Sequence, residues 1–277
     1  MRKLPLALFA LAVLPLAAFA QDDRACKHSA PRNLSFEVGN ARTVVFQIGQ
    51  HDVRVAGAPG KGGRLQGRAC ASGPGLLDDL TLTQERDGDR LIVRAQRKDR
   101  TVFSLGNHYA YLKLEGTVPD NVAVEFDVGS GDAVVRGVSS LALEVGSGDA
   151  EARQVKGAVS AKVGSGDIAL ADIGALEVSS IGSGDLEARQ VRGAAKVGSI
   201  GSGDLELHDV AGDVEIGSIG SGDADLAKVG GSVELGSIGS GDIDIDGVRG
   251  DLVVRSKGSG SVGHANVGGK VDVPKKR

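Results

Sequence analysis

The tetrapeptide Gly-Ser-Gly-Asp begins at Gly129, Gly146, Gly164, Gly182, Gly201, Gly220 and Gly239, and a Gly-Ser-Gly-Ser variant begins at Gly258. Successive starts lie 17 to 19 residues apart. A fixed short period means that each repeat is one supersecondary unit, able to bury its apolar side chains only against its neighbours. The period is too short for paired-helix repeats of about 34 residues, and the Leu-x-x-Leu-x-Leu signature of leucine-rich repeats is missing.

Inside a repeat the apolar spacing is two rather than 3.6. Leu205, Leu207, Val210, Val214, Ile216 and Ile219 follow Asp204. The next unit repeats the positions with Ala224, Leu226, Val229, Val233, Leu235 and Ile238. Charged residues such as Glu206, Glu215 and Glu234 alternate with them, as in strands buried on one face. Each unit therefore reads as two short strands joined at a glycine corner (Gly193, Gly212, Gly231), where glycine would supply a positive φ. Stacking such units predicts an all-β fold, a single-stack parallel β-solenoid with coils of about 17–19 residues. Neighbouring coils would lie ~4.8 Å apart, giving a rod on the order of 35–40 Å long. Only 3 % of the chain is aromatic and 43 residues are glycine, as a narrow tube lined by Val, Ile, Leu and Ala would require.

The array ends in polar substitutions. Lys257 stands where earlier coils place an inward Ile, Ser261 replaces the Asp, and His264 falls on an inward position. This predicts a C-terminal cap over the last of residues 117–273, followed by a basic tail at 274–277. Upstream the repeat fades but alternation persists at Thr43–Ile48, Asp52–Val55, Leu80–Thr83, Leu91–Arg94 and Tyr109–Leu114. Residues 21–116 thus read as irregular first coils with an edge hairpin turning at Asp87-Gly88-Asp89; a separate small β-domain is the alternative. Ala58–Gly75, rich in Gly, Lys and Arg, reads as a loop.

Residues 1–20 have the form of a secretory signal peptide: a basic start at Arg2-Lys3, an apolar run, and Ala18-Phe19-Ala20 before Gln21. Its loss takes the net charge from −4 to −6, which disfavours nucleic acid and anionic membrane as partners. Export to the periplasm or beyond a Gram-negative-type envelope makes one disulfide, Cys26–Cys70, the simplest use of the two cysteines.

Catalytic signatures are sparse. His28, His51, His108, His208 and His264 are scattered without metal-ligand spacing, and no Ser-His constellation recurs with the repeat. Tyr109 and Tyr111 fall on one strand face, for which core or edge packing is the simpler expectation and contact with a glycan the alternative. The one constellation is the column Asp132, Asp149, Asp167, Asp185, Asp204, Asp223 and Asp242. Carboxylates ~4.8 Å apart repel by about 0.9 kcal/mol per pair in water and about 3.5 kcal/mol at an effective dielectric of 20. Two devices would offset this: backbone N–H donors from each glycine corner, or Ca²⁺ held between coils. Capping is the simpler reading. The apolar residue directly follows the Asp, out of step with the nonapeptide calcium repeats, which also place a binding turn every nine residues. A β-helical glycan lyase would draw on Arg153, Arg189 and Arg249, but the repeats leave no long loops to build a cleft. No Thr follows Thr117, which removes the Thr ladders of ice-binding arrays.

The run Leu114-Glu115-Gly116-Thr117-Val118-Pro119-Asp120-Asn121-Val122, followed by serial Gly-Ser-Gly-Asp units, resembles a family of exported bacterial adhesin-like β-strand-repeat proteins related to autotransporter-adhesin head GIN domains. The resemblance covers nearly all of the chain after the signal peptide, most clearly residues 114–273. It implies a non-enzymatic structural or adhesion-type envelope module without cofactors. Its partner would be a surface protein, a glycan or another copy of itself. A calcium-dependent scaffold built on the Asp column is the alternative, and a glycan-active enzyme is the more distant one.

Overall fold

The computed structural model describes residues 26–98 and 108–274. The signal-peptide reading of residues 1–20 and the tail at 275–277 lie outside the described residues. The N-terminal region holds β1 (His28–Glu37), β2 (Thr43–Gly49), β3 (Asp52–Ala58), β4 (Gly62–Ala71), β5 (Leu80–Asp87), β6 (Arg90–Arg97) and β7 (Ala110–Pro119). The repeats follow as β8 (Ala123–Val128), β9 (Ala133–Arg136), β10 (Ser140–Val145), β11 (Ala150–Val155), β12 (Val159–Val163), β13 (Ile168–Ile173), β14 (Leu176–Ile181) and β15 (Leu186–Val191). The array continues with β16 (Ala195–Ile200), β17 (Leu205–Val210), β18 (Val214–Ile219), β19 (Ala224–Val229), β20 (Val233–Ile238), β21 (Ile243–Val248), β22 (Leu252–Lys257), β23 (Val262–Val267) and β24 (Val271–Asp272).

These strands make two 12-stranded sheets. Sheet A runs β1-β4-β7-β3-β9 and then takes every odd strand to β23; sheet B runs β5-β6-β2-β8 and then takes every even strand to β24. From β8 onward each coil gives one parallel strand to each sheet, a parallel β-solenoid of about eight turns. Cα partners line up identical positions, so Ala195, Val214 and Val233 stack in one column and Leu186, Leu205 and Ala224 in another. The inward residues form one continuous core of Val, Ile, Leu and Ala between the sheets. Aromatics are not wholly excluded, contrary to the narrow-tube argument. Phe46 and Phe126 stack with centroids 4.8 Å apart in the first coils, in a column that narrows to Leu143 and Ala161 further along.

The chain bends at Gly193, Gly212 and Gly231 as expected, but the positive φ expected there lies elsewhere, inside the preceding strands. Gln154, Asp172, Gln190, Asp209, Lys228 and Asn266 take positive φ of 54–58°, and Gly247 joins their column at 77°. Each precedes an inward Val or Ile, so two successive residues face outward before the chain turns back to the core. Left-handed backbone costs an L-residue about 1–2 kcal/mol, which the following buried side chain offsets. The repeat glycines serve close approach instead: a Cβ on Gly203 would stand 1.8 Å from the carbonyl oxygen of Gly184.

The N-terminal end is built out of chain order. β2 and β3 form a coil that sits between β6–β7 and β8–β9, so the later β6 and β7 lie beneath the earlier coil. The hairpin β5–β6 turns at Gly88, as the Asp-Gly-Asp signal implied, and closes sheet B. Ala58–Gly75 is not a loop: β4 pairs antiparallel with both β1 and β7. Its glycines admit neighbouring backbone, since a Cβ on Gly67 would lie 2.0 Å from the Lys113 carbonyl oxygen. Arg32 on β1 donates to the carbonyls of Leu77 and Leu80 at 2.7 and 3.0 Å, tying the two sheet ends together. A disulfide joins Cys26 to Cys70 with Cα atoms 5.4 Å apart, holding the start of β1 against β4. At the other end Lys257 continues the column of Ile238 and His264 that of Ile245, where the described coils stop.

Candidate functional site

The Asp column is a hydrogen-bonded ladder. Oδ1 of Asp149, Asp167, Asp185, Asp204, Asp223 and Asp242 each accepts a backbone N–H from the same position one coil later, at 2.6–3.3 Å. The donor is therefore the next coil's Asp or Ser261, not the residue's own glycine corner. Serial carboxylates at strand spacing tolerate one another because each faces a peptide dipole. Asp132 donates its own N–H to Asp52 at 3.4 Å, so Asp52 is an earlier rung. Gly49-Gln50-His51-Asp52 is a degenerate Gly-Ser-Gly-Asp corner, legible from the Gly…Asp spacing and from Val53 and Val55 behind it. Burial foremost, then the charge of Asp132, raises the Asp52 pKa.

His51 fills the second-glycine position and is 1 % exposed. Its Nδ1 accepts the Leu112 N–H at 3.2 Å; burial, then the charge of Arg97, lowers its pKa to about 4. A second, shorter ladder runs at the opposite corner. Asp213 accepts from the N–H of Ser232, the Ser232 hydroxyl from that of Asp251, and Asp251 from that of Lys270, at 2.7–3.1 Å. Its mixed residue types hid it from the repeat pattern.

The remaining candidates do not converge. Arg153 and Arg189 share an outward column on sheet A through Ala171, where they pair with Glu151, Glu187 and Glu206, while Arg249 sits at a corner outside that column. His208 bonds Glu206 at 2.8 Å, and His28 and His264 lie at opposite ends of sheet A. Further along that face Asp225 has a raised pKa, from burial first and then from the Asp244 and Glu206 charges. Tyr109 and Tyr111 pack with centroids 6.0 Å apart beside the Lys113 ammonium. Among the described residues no group of three or more His, Cys, Asp or Glu is set to hold a metal ion.

A shallow depression of about 440 Å³ lies on the outer face of sheet B, spanning β2, β8, β10, β12 and β14. One edge of it coincides with a change in the coil. Between β12 and β14 the register slips after Ala161, and Ser179 is inserted as an extra outward residue. Gly198, Gly217 and Gly236 continue that added column, since a Cβ on each would come within 2.4 Å of the preceding carbonyl oxygen. Ser179 keeps its side chain because β12 has no residue behind it, and its hydroxyl bonds the Ala161 carbonyl at 3.3 Å. The floor is Ala142, Ser160 and Val45; Val45 occupies an outward column yet is 2 % exposed. Four carboxylates line the depression, Glu125, Asp127, Glu144 and Glu177. Arg90 neutralises Glu125 at 2.7 Å and Lys162 neutralises Glu144 at 2.7 Å.

Comparison with solved structures finds similar chains. A solved structure from Parabacteroides distasonis, a "putative lipid binding protein", is 20 % identical, covers 85 % of this chain and 96 % of its own, and superposes with a TM-score of 0.53. A "putative adhesin" from Bacteroides fragilis is 17 % identical over 88 % of this chain and 96 % of its own, with a TM-score of 0.45. No curated protein matches significantly. The first likeness shows the fold. The match of residues 43–273 to a family model shows the kinship, and the chain belongs to the Toastrack DUF4097 family.

Proposed function

We propose that this protein is an exported, non-enzymatic recognition module of a bacterial envelope, held in the periplasm or released, of the adhesion type implied by its resemblance to autotransporter-adhesin heads. The observation that supports this best is the outer surface of the rod. Backbone ladders and glycine columns fix the coils at strand spacing, so outward side chains stand in rigid rows. The depression on sheet B lies where the repeat changes. Such a surface pre-orders its contacts and loses little entropy on binding. The N-terminal segment 1–20 and the Cys26–Cys70 bridge fit an oxidising compartment.

Fractionation of cells producing the full chain tests this reading, together with binding of the purified protein to isolated envelopes. Recovery in the periplasm or medium with residues 1–20 removed, and saturable envelope binding, is the expected result. Retention in the cytosol with the N-terminus intact would sink it.

A further inference from the structure

We propose that the depression on sheet B binds a neutral, hydroxyl-rich ligand, a short oligosaccharide lying across β8, β10, β12 and β14. The inference rests on the recognition-module reading and names its ligand class. The volume of about 440 Å³ falls in the range of small-molecule sites.

Position supports a site. The concavity sits beside the register break after Ala161, and bulges gather where a strand must re-aim side chains at a ligand. The rest of sheet B repeats without such a break from β14 to β22.

The lining selects the chemistry. Asp127 and Glu177 flank the floor from β8 and β14, three strands or ~14 Å apart. They are acceptors for hydroxyl donors, and O–H···O⁻ bonds are among the strong ones. The Lys162 ammonium and the Ser160 hydroxyl supply donors between them, and the small side chain of Ala142 on β10 leaves the room beside them. Donors and acceptors set side by side over the small side chains of Ala142 and Ser160 match the hydroxyl-lined edge of a pyranose chain. Carboxylates outnumber cations in the lining, which turns away uronic acids, phosphates and sulfated sugars. A neutral ligand also leaves the Arg90–Glu125 and Lys162–Glu144 pairs intact.

The test titrates the full mature chain with neutral tetrasaccharides of glucose, mannose and N-acetylglucosamine, and with spermine as a cationic probe. It uses saturation-transfer NMR in 50 and 500 mM salt. At least one tetrasaccharide should bind saturably, with affinity changed less than twofold by salt. Ser160→Arg, which lays a long side chain across the floor, should weaken it at least tenfold. Glu234→Arg, in the same outward column outside the depression, should not. Circular dichroism and melting temperature confirm that both variants fold. Saturable binding of none of the sugars, sugar binding indifferent to Ser160→Arg, or salt-sensitive binding of spermine alone would each overturn the proposal. If the wild type holds to envelopes while sugars fail, the ligand assignment falls and the recognition module stands. If the protein never reaches the envelope, the broader reading falls first.

Discussion

Asp204 accepts on its Oδ1 the backbone N–H of Asp223, one coil later, at 2.9 Å. The bond satisfies the carboxylate oxygen nearest the stack, so a backbone donor is available to hold the ladder without a cation. Asp204→Asn keeps an acceptor at that place and should change stability by less than about 0.5 kcal/mol. Asp204→Ala strands the Asp223 N–H and should cost about 1 kcal/mol. Melting temperatures in EDTA and in millimolar Ca²⁺ should agree. A large, saturable rise with Ca²⁺ that Asp204→Asn diminishes would reverse the assignment.

Val214 is 1 % exposed between Ala195 and Val233, and Glu215 beside it faces water near the Lys196 ammonium. Val214→Asp puts an unpaired charge into a dry column and should cost about 3–5 kcal/mol. Glu215→Lys loses an exposed ion pair and should cost under about 1 kcal/mol. Denaturant unfolding reads both, and equal losses would mean that the strand register is wrong.

Glycine matters here in two opposite ways. Gly203→Ala drives a Cβ into the Gly184 carbonyl and should be among the most damaging single changes in the rod. Lys228 already has a Cβ but is held at φ 58°, so Lys228→Gly should raise stability by up to about 1 kcal/mol. Thermal melts of the two variants should move in opposite directions.

His51 makes the first coil acid-sensitive. Its folded pKa of about 4 lies below the ordinary 6.5, so the unfolded chain binds the extra proton first. The stabilisation is complete above pH 6.5 and is lost as the pH falls toward 4, by up to about 3 kcal/mol. Asp52, with a raised pKa, works in the opposite sense, because its folded form holds its proton more readily. Urea unfolding from pH 7 to 4 should show this slope. His51→Gln, which retains an acceptor for Leu112 but does not titrate there, should flatten it.

The columns of Val, Leu and Ile were legible because burial repeats the same residue types at the same spacing. The backbone features were not. Gln190, Asp209 and Lys228 share a left-handed conformation but no side-chain chemistry. The Asp213–Ser232–Asp251 ladder mixes two residue types. Gly62, Gly63 and Gly67 suggested freedom, whereas in β4 they are the only residues the crowded antiparallel neighbours admit. The depression has no motif behind it: it lies beside one inserted residue, Ser179, and its lining comes from five strands far apart in the chain.

From β14 to β21 every coil repeats its predecessor position for position. Length is thus a separable trait of this molecule. Excising Gly201–Ile219 would set Ala224 on Leu186 and Val233 on Ala195, the same kinds of neighbour each has now. The rod would be ~4.8 Å shorter and otherwise intact. Unequal recombination between such segments would lengthen or trim the rod by whole turns, setting the distance between the N-terminal coils and the far end of the stack in steps of one strand spacing.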